Sequence, residues 1–266
     1  MKAFKKKFWF VPLIALLSWA AINAFVEANV TSAEIKKKPS IVFLVTEDTN
    51  NYEAHKTIPK FAELLEREHG YKTTVLLGTG GHGDYRYPSM DALSNADLLV
   101  VFARRIALPH NQMKAIRDYV STGKPVIGIR TAHHAFAVMD KIKDGYEDWP
   151  SFTADILGCE NKGYGPVEAG YNVSFIPGAE SHPVLKDIQV NKWHSKGSIY
   201  HVALLDKSAD VLLQGEIEGK TEPVAWTRIA GKNKVFYTSL GYPDDFNTAQ
   251  FKTLLINGIR WVLQVE

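Results

Sequence analysis

"GKPVIGIRTAHHAF", residues 123–136, sets the frame for reading the rest of the chain. Gly123 marks a turn, Pro125–Ile129 is a β-branched apolar strand, and that strand stops abruptly at Arg130. Gly128, Ile129, Arg130, Thr131 and Ala132 have the small-x-X-x-small form of an elbow, in which a strand turns tightly into a helix and its central side chain is thrust into a pocket. The central residue here is arginine, which cannot act as an acyl nucleophile and is too basic to serve as a general base. Arg130 is therefore expected to bind or polarise oxygen, the alternative being a buried ion pair, with Glu47 as the candidate partner. His133 and His134 follow. Neighbours on an α-helix diverge by roughly 100°, which predicts that one faces the pocket while the other packs.

Working outward, short apolar runs alternate with helical patterns, the signature of an α/β fold with helices against a parallel sheet. Strands are expected at Ile41–Val45, Thr74–Leu77, Leu98–Phe102 and Pro125–Ile129. Ile58, Phe61, Leu64 and Leu65 fall at helical spacing, closed by Gly70, and a second helix runs from about Pro109 to Val120. The pattern loosens from Tyr146 to Gly170, where Trp149, Phe152 and Ile156 mark at most a short helix. Strands resume at Val173–Ile176, Ile199–Leu204 and Val211–Gln214. Val224–Thr227 and Val235–Ser239 flank "RIAGKNK", a hairpin with Gly231 and Asn233 in the turn. Asp244 and Asp245 are placed to cap a last helix with a broad apolar face from Phe251 to Leu263.

The first residues read as an export signal. Lys2, Lys5, Lys6 and Lys7 precede an apolar run from Phe8 to Val26, with small-residue cleavage contexts at Ala28 and Ala33. The run also approaches the ~20 residues that span a bilayer, so an uncleaved membrane anchor is the alternative. Residues 1–33 are thus assigned to a signal peptide or anchor and 34–266 to one domain, periplasmic or secreted, or else held at the membrane. Residues 1–28 hold four of the 31 basic and one of the 29 acidic residues, which leaves 27 basic and 28 acidic. The basicity belongs to the leader, so nothing in the composition supports a nucleic-acid partner. The single cysteine, Cys159, rules out an internal disulfide and a multi-cysteine metal site, and an inert thiol is expected.

In open parallel sheets the ligand crevice lies beyond the carboxyl ends of the strands. The first strand ends at Glu47 and Asp48. The second runs into the glycine-rich loop "GTGGHGDYRYP", which carries His82 and Asp84. The third ends at Arg104 and Arg105, and the fourth at Arg130. The loop lacks the spacing of a phosphate-binding fingerprint, so no dinucleotide is implied. The nine histidines contain no His-Glu-x-x-His pattern, and a metal site would have to be assembled from distant loops. No cofactor is assigned. Trp149, Trp193 and Tyr242 could offer faces to a sugar ring.

Taken in order, "TIPKFAELLEREHGY", "ADLLVVFARRIALP", "GKPVIGIRTAHHAF", "SHPVL", "EPVAWTRIAGKNKVFYTSLGYPDDF" and "LLINGIRWVL" resemble the ThuA-like, or trehalose-utilisation, family over nearly all of residues 40–264. The resemblance implies a class I glutamine amidotransferase-like fold: a flavodoxin-like three-layer sandwich with a mainly parallel central sheet, helices on both faces, and a C-terminal β-hairpin and helix. It also implies carbohydrate metabolism, since members often occur beside oxidoreductases that make 3-keto sugars. Amidotransferase relatives carry a cysteine at the elbow, where this chain has Arg130, and many ThuA-like proteins have a histidine after the late "SLG", where it has Tyr242. Both departures argue against a covalent cysteine mechanism. The expectation is an exported domain acting on a glycoside or keto-sugar as a lyase, isomerase or hydrolase. Arg130, His134 and Glu47 are its candidate catalytic residues, and His82, Asp84, Arg104, Arg105, His133 and Tyr242 are candidates for substrate binding. The alternative is a non-catalytic carbohydrate-binding module on the same fold.

Overall fold

The computed structural model describes residues 1, 38–167, 169–204 and 209–265. The leader or anchor assigned to residues 1–33 lies, Met1 apart, outside the described residues. Among the described residues no helix is long and apolar enough to cross a membrane.

The first half alternates strands and helices: β1 (Ser40–Val45), α1 (Ala54–His69), β2 (Lys72–Leu77), β3 (Leu98–Phe102), the two-residue β4 (Leu108–Pro109), α2 (His110–Ser121) and β5 (Val126–Ile129). A 3-10 turn, Arg130–His134, leaves β5 and leads to β6 (Tyr146–Glu147) and a single π-helical turn, Thr153–Leu157. The second half is mostly strands: β7 (Cys159–Tyr164), β8 (Tyr171–Phe175), β9 (His194–Ser195), β10 (Tyr200–Leu204), β11 (Asp210–Ile217), β12 (Lys220–Ala230) and β13 (Asn233–Thr238), before α3 (Ala249–Leu263).

Nine strands form one sheet in the order β2-β1-β3-β5-β13-β12-β11-β8-β9. The first five are mutually parallel and the last four antiparallel. The sheet is therefore mixed, with the expected parallel strands in one half and antiparallel strands in the other. For β11, β12 and β13 the physical reason is that two-residue turns join them, and such short connections can join only antiparallel neighbours. The β12–β13 hairpin turns at Gly231, whose φ of 62° suits glycine. Asn233 sits not in that turn but buried at the start of β13, donating to Val120 O at 2.9 Å and Lys124 O at 2.6 Å.

β1 and β3 are buried along almost their whole length. Ile41, Phe43 and Val45 join a core cluster with Ile58 and Leu65 of α1 and Leu254 and Ile259 of α3. Val42 and Leu44 join a second with Met113 and Ile116 of α2. Alternate side chains of one strand thus feed two cores. α3 is capped by Thr248, whose hydroxyl accepts from Phe251 N at 3.3 Å, and not by Asp244 or Asp245. Asp245 is buried in the preceding turn, where its Oδ2 accepts from Gly241 N and Tyr242 N at 2.9 Å and from Ser195 Oγ at 3.0 Å.

Candidate active site

The elbow at the end of β5 takes the shape its sequence predicts. Arg130 has φ 46°, a left-handed conformation that costs a non-glycine residue roughly 1–3 kcal/mol and persists only where the surroundings enforce it. Gly128 must lack a side chain, because a Cβ there would lie 2.9 Å from the Tyr237 ring and 3.2 Å from Ala132. Tyr237 Oη donates to Arg130 O at 2.8 Å and holds the bend.

The Arg130 side chain does not reach solvent; the residue is 0% exposed. Its Nη1 donates to Ser239 O at 2.8 Å and its Nη2 to Ser198 O at 3.3 Å. Among the described residues no carboxylate, Glu47 included, lies within ion-pair distance. The charge is instead surrounded by rings: the guanidinium carbon is 3.9 Å from the Tyr52 centroid, 4.8 Å from that of Tyr200 and 5.9 Å from that of Tyr242. Gly197 closes the cage, since a Cβ there would meet Nη2 at 2.7 Å.

Above this cage lies a cleft of about 860 Å³ beyond the carboxyl ends of β1, β3, β5 and β13. Tyr52 and Glu53 line it from the β1–α1 connection, Arg104 and Arg105 from the end of β3, His133 and His134 from the 3-10 turn, and Tyr242 and Asp244 from beyond β13. The far wall comes from the antiparallel region: Asn161 and Tyr164 of β7, Lys196, and Tyr200 of β10. A hollow of about 970 Å³ between Arg86–Ser94 and α2 is slightly larger but holds none of the residues at these strand ends. The cleft is therefore the candidate site.

Tyr52 is the group that the Arg130 charge acts on most directly. Burial pushes its phenol up, but the guanidinium beneath the ring and hydrogen bonds from its neighbours outweigh that, and the net direction is down. Tyr200 Oη lies 3.4 Å from its oxygen. Tyr52 and Glu53 both have positive φ, 51° and 52°. Asn51 anchors this bend, donating to Thr46 O at 3.0 Å and Phe102 O at 2.9 Å and accepting from Thr131 Oγ1. The ends of β1, β3 and β5 are thereby tied together under Tyr52.

Both histidines enter the cleft, against the expectation that adjacent residues must diverge. The turn is 3-10 rather than α, and the two rings swing together until their Nδ1 atoms are 2.8 Å apart. His133 stacks on Tyr200 with centroids 4.4 Å apart and is 2% exposed. Burial, then the charges of Arg130 and Arg105, bring its pKa down to about 3. His134 is driven well below its usual range by burial, His133 and Arg105. Both rings are neutral near pH 7.

The other predicted residues divide into those inside and outside the cleft. Arg104 lines it and is braced by Asp48 at 3.1 Å, which also meets His82 Nε2 at 2.8 Å. Burial pushes the Asp48 carboxyl up, yet His82, Asn50 N and Arg104 together hold it below the usual range. His82 stands behind Arg104, bridging Asp48 and Asp140. Asp84 shapes the glycine loop, accepting from Gly81 N at 2.9 Å, and lies outside the cleft. Glu47 also lies outside, with its side chain 68% exposed and 3.8 Å from His55. Arg105 lines the cleft with φ 49°, and among the described residues no carboxylate pairs with it. Lys196 is neutralised by Asp244 at 2.7 Å. Arg105 and the buried Arg130 thus leave the cleft with surplus positive charge. Cys159 is buried, its thiol pushed up to about 12, and it lies off the cleft. Among the described residues no three His, Cys, Asp or Glu side chains gather as metal ligands.

Reading from the sequence had no reason to select Tyr52, Tyr200, Lys196 or Asn161. The one available signal was that Tyr52 closes the polar stretch "TEDTNNY" after β1.

Comparison with known proteins agrees with this architecture. A ThuA-like protein from Bacteroides uniformis ATCC 8492 superposes with a TM-score of 0.61 at 16% identity, covering 86% of this chain and 94% of that one. A ThuA-like protein from Parabacteroides merdae ATCC 43184 gives 0.59 at 18% identity, covering 85% and 90%. The β-galactosidase of Rahnella sp. R3 gives 0.54 at 11% identity, with 94% of this chain spanning 35% of that enzyme. At these identities the likeness is one of fold. No curated protein matches the chain. The trehalose-utilisation family model matches residues 42–262, a span that contains every strand end lining the cleft. The chain belongs to the ThuA trehalose-utilisation family.

Proposed function

We propose that the cleft is the active site of an enzyme acting on an oxidised glycoside or keto-sugar, and that its chemistry is the removal of a proton next to a carbonyl. Membership of the family supports a role in carbohydrate utilisation. The observation that carries the finer reading is the Tyr52 phenol, set 3.9 Å above a buried guanidinium that has no carboxylate partner among the described residues. A phenol made more acidic in this way is a strong donor to a carbonyl oxygen, and the uncompensated positive charge favours the oxyanion that develops as the proton leaves. Arg130 acts through Tyr52 as a positioning residue. Arg105, at the cleft surface, is placed to hold the oxyanion directly. His134, which lines the cleft, is the candidate for taking the proton, a role that Glu47 cannot reach from its exposed position.

The resulting enolate can take a proton back at the neighbouring carbon or expel a substituent, which gives an isomerase or a lyase outcome from one site. The four tyrosines of the cleft, Tyr52, Tyr164, Tyr200 and Tyr242, offer faces of the kind that pack against sugar rings. We read the parallel half of the sheet as a flavodoxin-type unit with helices on both faces, on the strength of its strand order. Export, to the periplasm or beyond, rests on the basic-then-apolar pattern of Lys2 to Val26.

The test is NMR of the protein with a panel of glycosides and their 3-keto counterparts, comparing wild type with Tyr52→Phe. Turnover of a keto-glycoside that falls about 10²-fold in the variant supports the reading. Saturable binding with no turnover in wild type would instead establish the carbohydrate-binding module.

A further inference from the structure

The contact between His133 and His134 places a constraint on protons. Two neutral imidazoles can share an Nδ1–Nδ1 contact of 2.8 Å only if one ring donates from Nδ1 and the other accepts there. Their Nε2 atoms must then differ in kind, one an N–H and the other a lone pair. Neither is satisfied by the protein. Among the described residues His133 Nε2 is buried and makes no well-formed hydrogen bond, though Asn161 approaches the ring, and the His134 side chain makes no hydrogen bond beyond the Nδ1 contact. Both residues line the cleft. An unpaired buried polar atom destabilises the fold, a cost that a ligand offering a donor beside an acceptor would relieve. The –CH(OH)–C(=O)– unit of an oxidised sugar is such a ligand.

We propose that His133 and His134 work as one tautomeric relay that carries a proton across an α-hydroxyketone unit of the substrate, an inference that rests on the keto-sugar reading above. The ring whose Nε2 holds a lone pair takes the proton from carbon, and the C–H electron pair becomes the C=C bond of an enediol. That ring passes its own Nδ1 proton to the Nδ1 of its neighbour. The neighbour releases its Nε2 proton to the carbonyl oxygen, which becomes a hydroxyl. One proton enters and one leaves, no electrons are exchanged with a co-reactant, and neither ring becomes a cation. The two tautomers have now changed places, so a second pass in the opposite sense takes the proton of the enediol's other hydroxyl, whose oxygen becomes the new carbonyl, returns a proton to the adjacent carbon and resets the pair. The surroundings favour this route over a lone base, because an imidazolium would sit among Arg104, Arg105 and Arg130, largely buried from solvent.

The experiment has two arms. The first is long-range ¹H–¹⁵N NMR of the full chain, labelled at histidine and without ligand, which is expected to show one of these rings as Nδ1–H and the other as Nε2–H, both neutral from pH 7 down to 5.5. Two Nε2–H rings, or protonation of either ring between pH 5.5 and 7, would overturn the relay. The second arm compares kcat for His133→Gln, His134→Gln and the double variant on whichever keto-glycoside wild type turns over. Each single variant is expected to lose about as much as the double, on the order of 10²-fold or more, because a relay fails as a unit. Losses that multiply independently would overturn it. A wild type silent on the whole panel counts against the keto-sugar reading, whereas the ring tautomers decide the state of the pair without any substrate.

Discussion

Mild acid should destabilise this protein through His133, by an amount that follows from its burial. The ring is 2% exposed and its folded pKa is brought down to about 3, against the usual 6.5. Between those values the unfolded chain binds a proton at this residue and the folded chain does not. Stability from this group is therefore fully present above pH 6.5 and is lost as pH falls below it, at about 1.4 kcal/mol per pH unit. By pH 4.5 the loss reaches about 3 kcal/mol, a large fraction of the total stability of a typical domain. Two carboxylates lie outside this slope or oppose it. Asp48, with its lowered pKa, loses its contribution only as pH falls below the usual carboxylate range. Asp245, raised by burial against its hydrogen bonds, gains relative stability as it is protonated. Both cancel when wild type and His133→Gln are compared by urea unfolding at pH 7.0, 5.5 and 4.5. The difference between the two proteins should shift toward the variant by about 3 kcal/mol from pH 7.0 to 4.5. A difference that stays constant across that range would show that His133 takes up its proton in the folded state and would refute the reasoning.

Arg130→Met removes the charge beneath Tyr52 and leaves Ser239 O and Ser198 O short of a donor. Stability should change by no more than about 2 kcal/mol, while the Tyr52 phenol rises in an absorbance titration and kcat falls about 10²-fold. Gly197→Ala drives a methyl against the guanidinium and should cost about 1–3 kcal/mol in thermal or urea unfolding. Cys159→Ala should keep wild-type turnover, and the wild-type thiol should react with a thiol reagent only once the protein unfolds.

The parallel half of the fold was legible because its inner strands are buried on both faces and read as apolar runs; Leu98–Phe102 is the clearest. The elbow was equally legible, since small residues at 128 and 132 leave few other geometries for Arg130. Pattern alone could not say which way the side chains after each strand point. Glu47 and Tyr52 both follow β1, but the left-handed bend at Tyr52 and Glu53, anchored by Asn51, swings the tyrosine into the cleft and leaves the glutamate in solvent. The same gap separates Arg104, which reaches the site, from His82 behind it. The far wall was hidden for another reason. Asn161, Lys196 and Tyr200 come from short, polar strands and loops whose position is set by long-range antiparallel pairing, such as β7 with β10, rather than by local periodicity. Arg130 is legible as the central residue of the elbow, but only the packing shows the three tyrosine rings around its charge.

The most direct test of the central claim is solvent exchange at carbon. Wild type incubated with a 3-keto-glycoside in D₂O should lose the ¹H signal of the carbon beside the carbonyl, through exchange or product formation, at a rate that Tyr52→Phe lowers about 10²-fold. Retention of that signal in wild type, at ligand concentrations that saturate the cleft, would contradict an enzyme working by proton abstraction at this site.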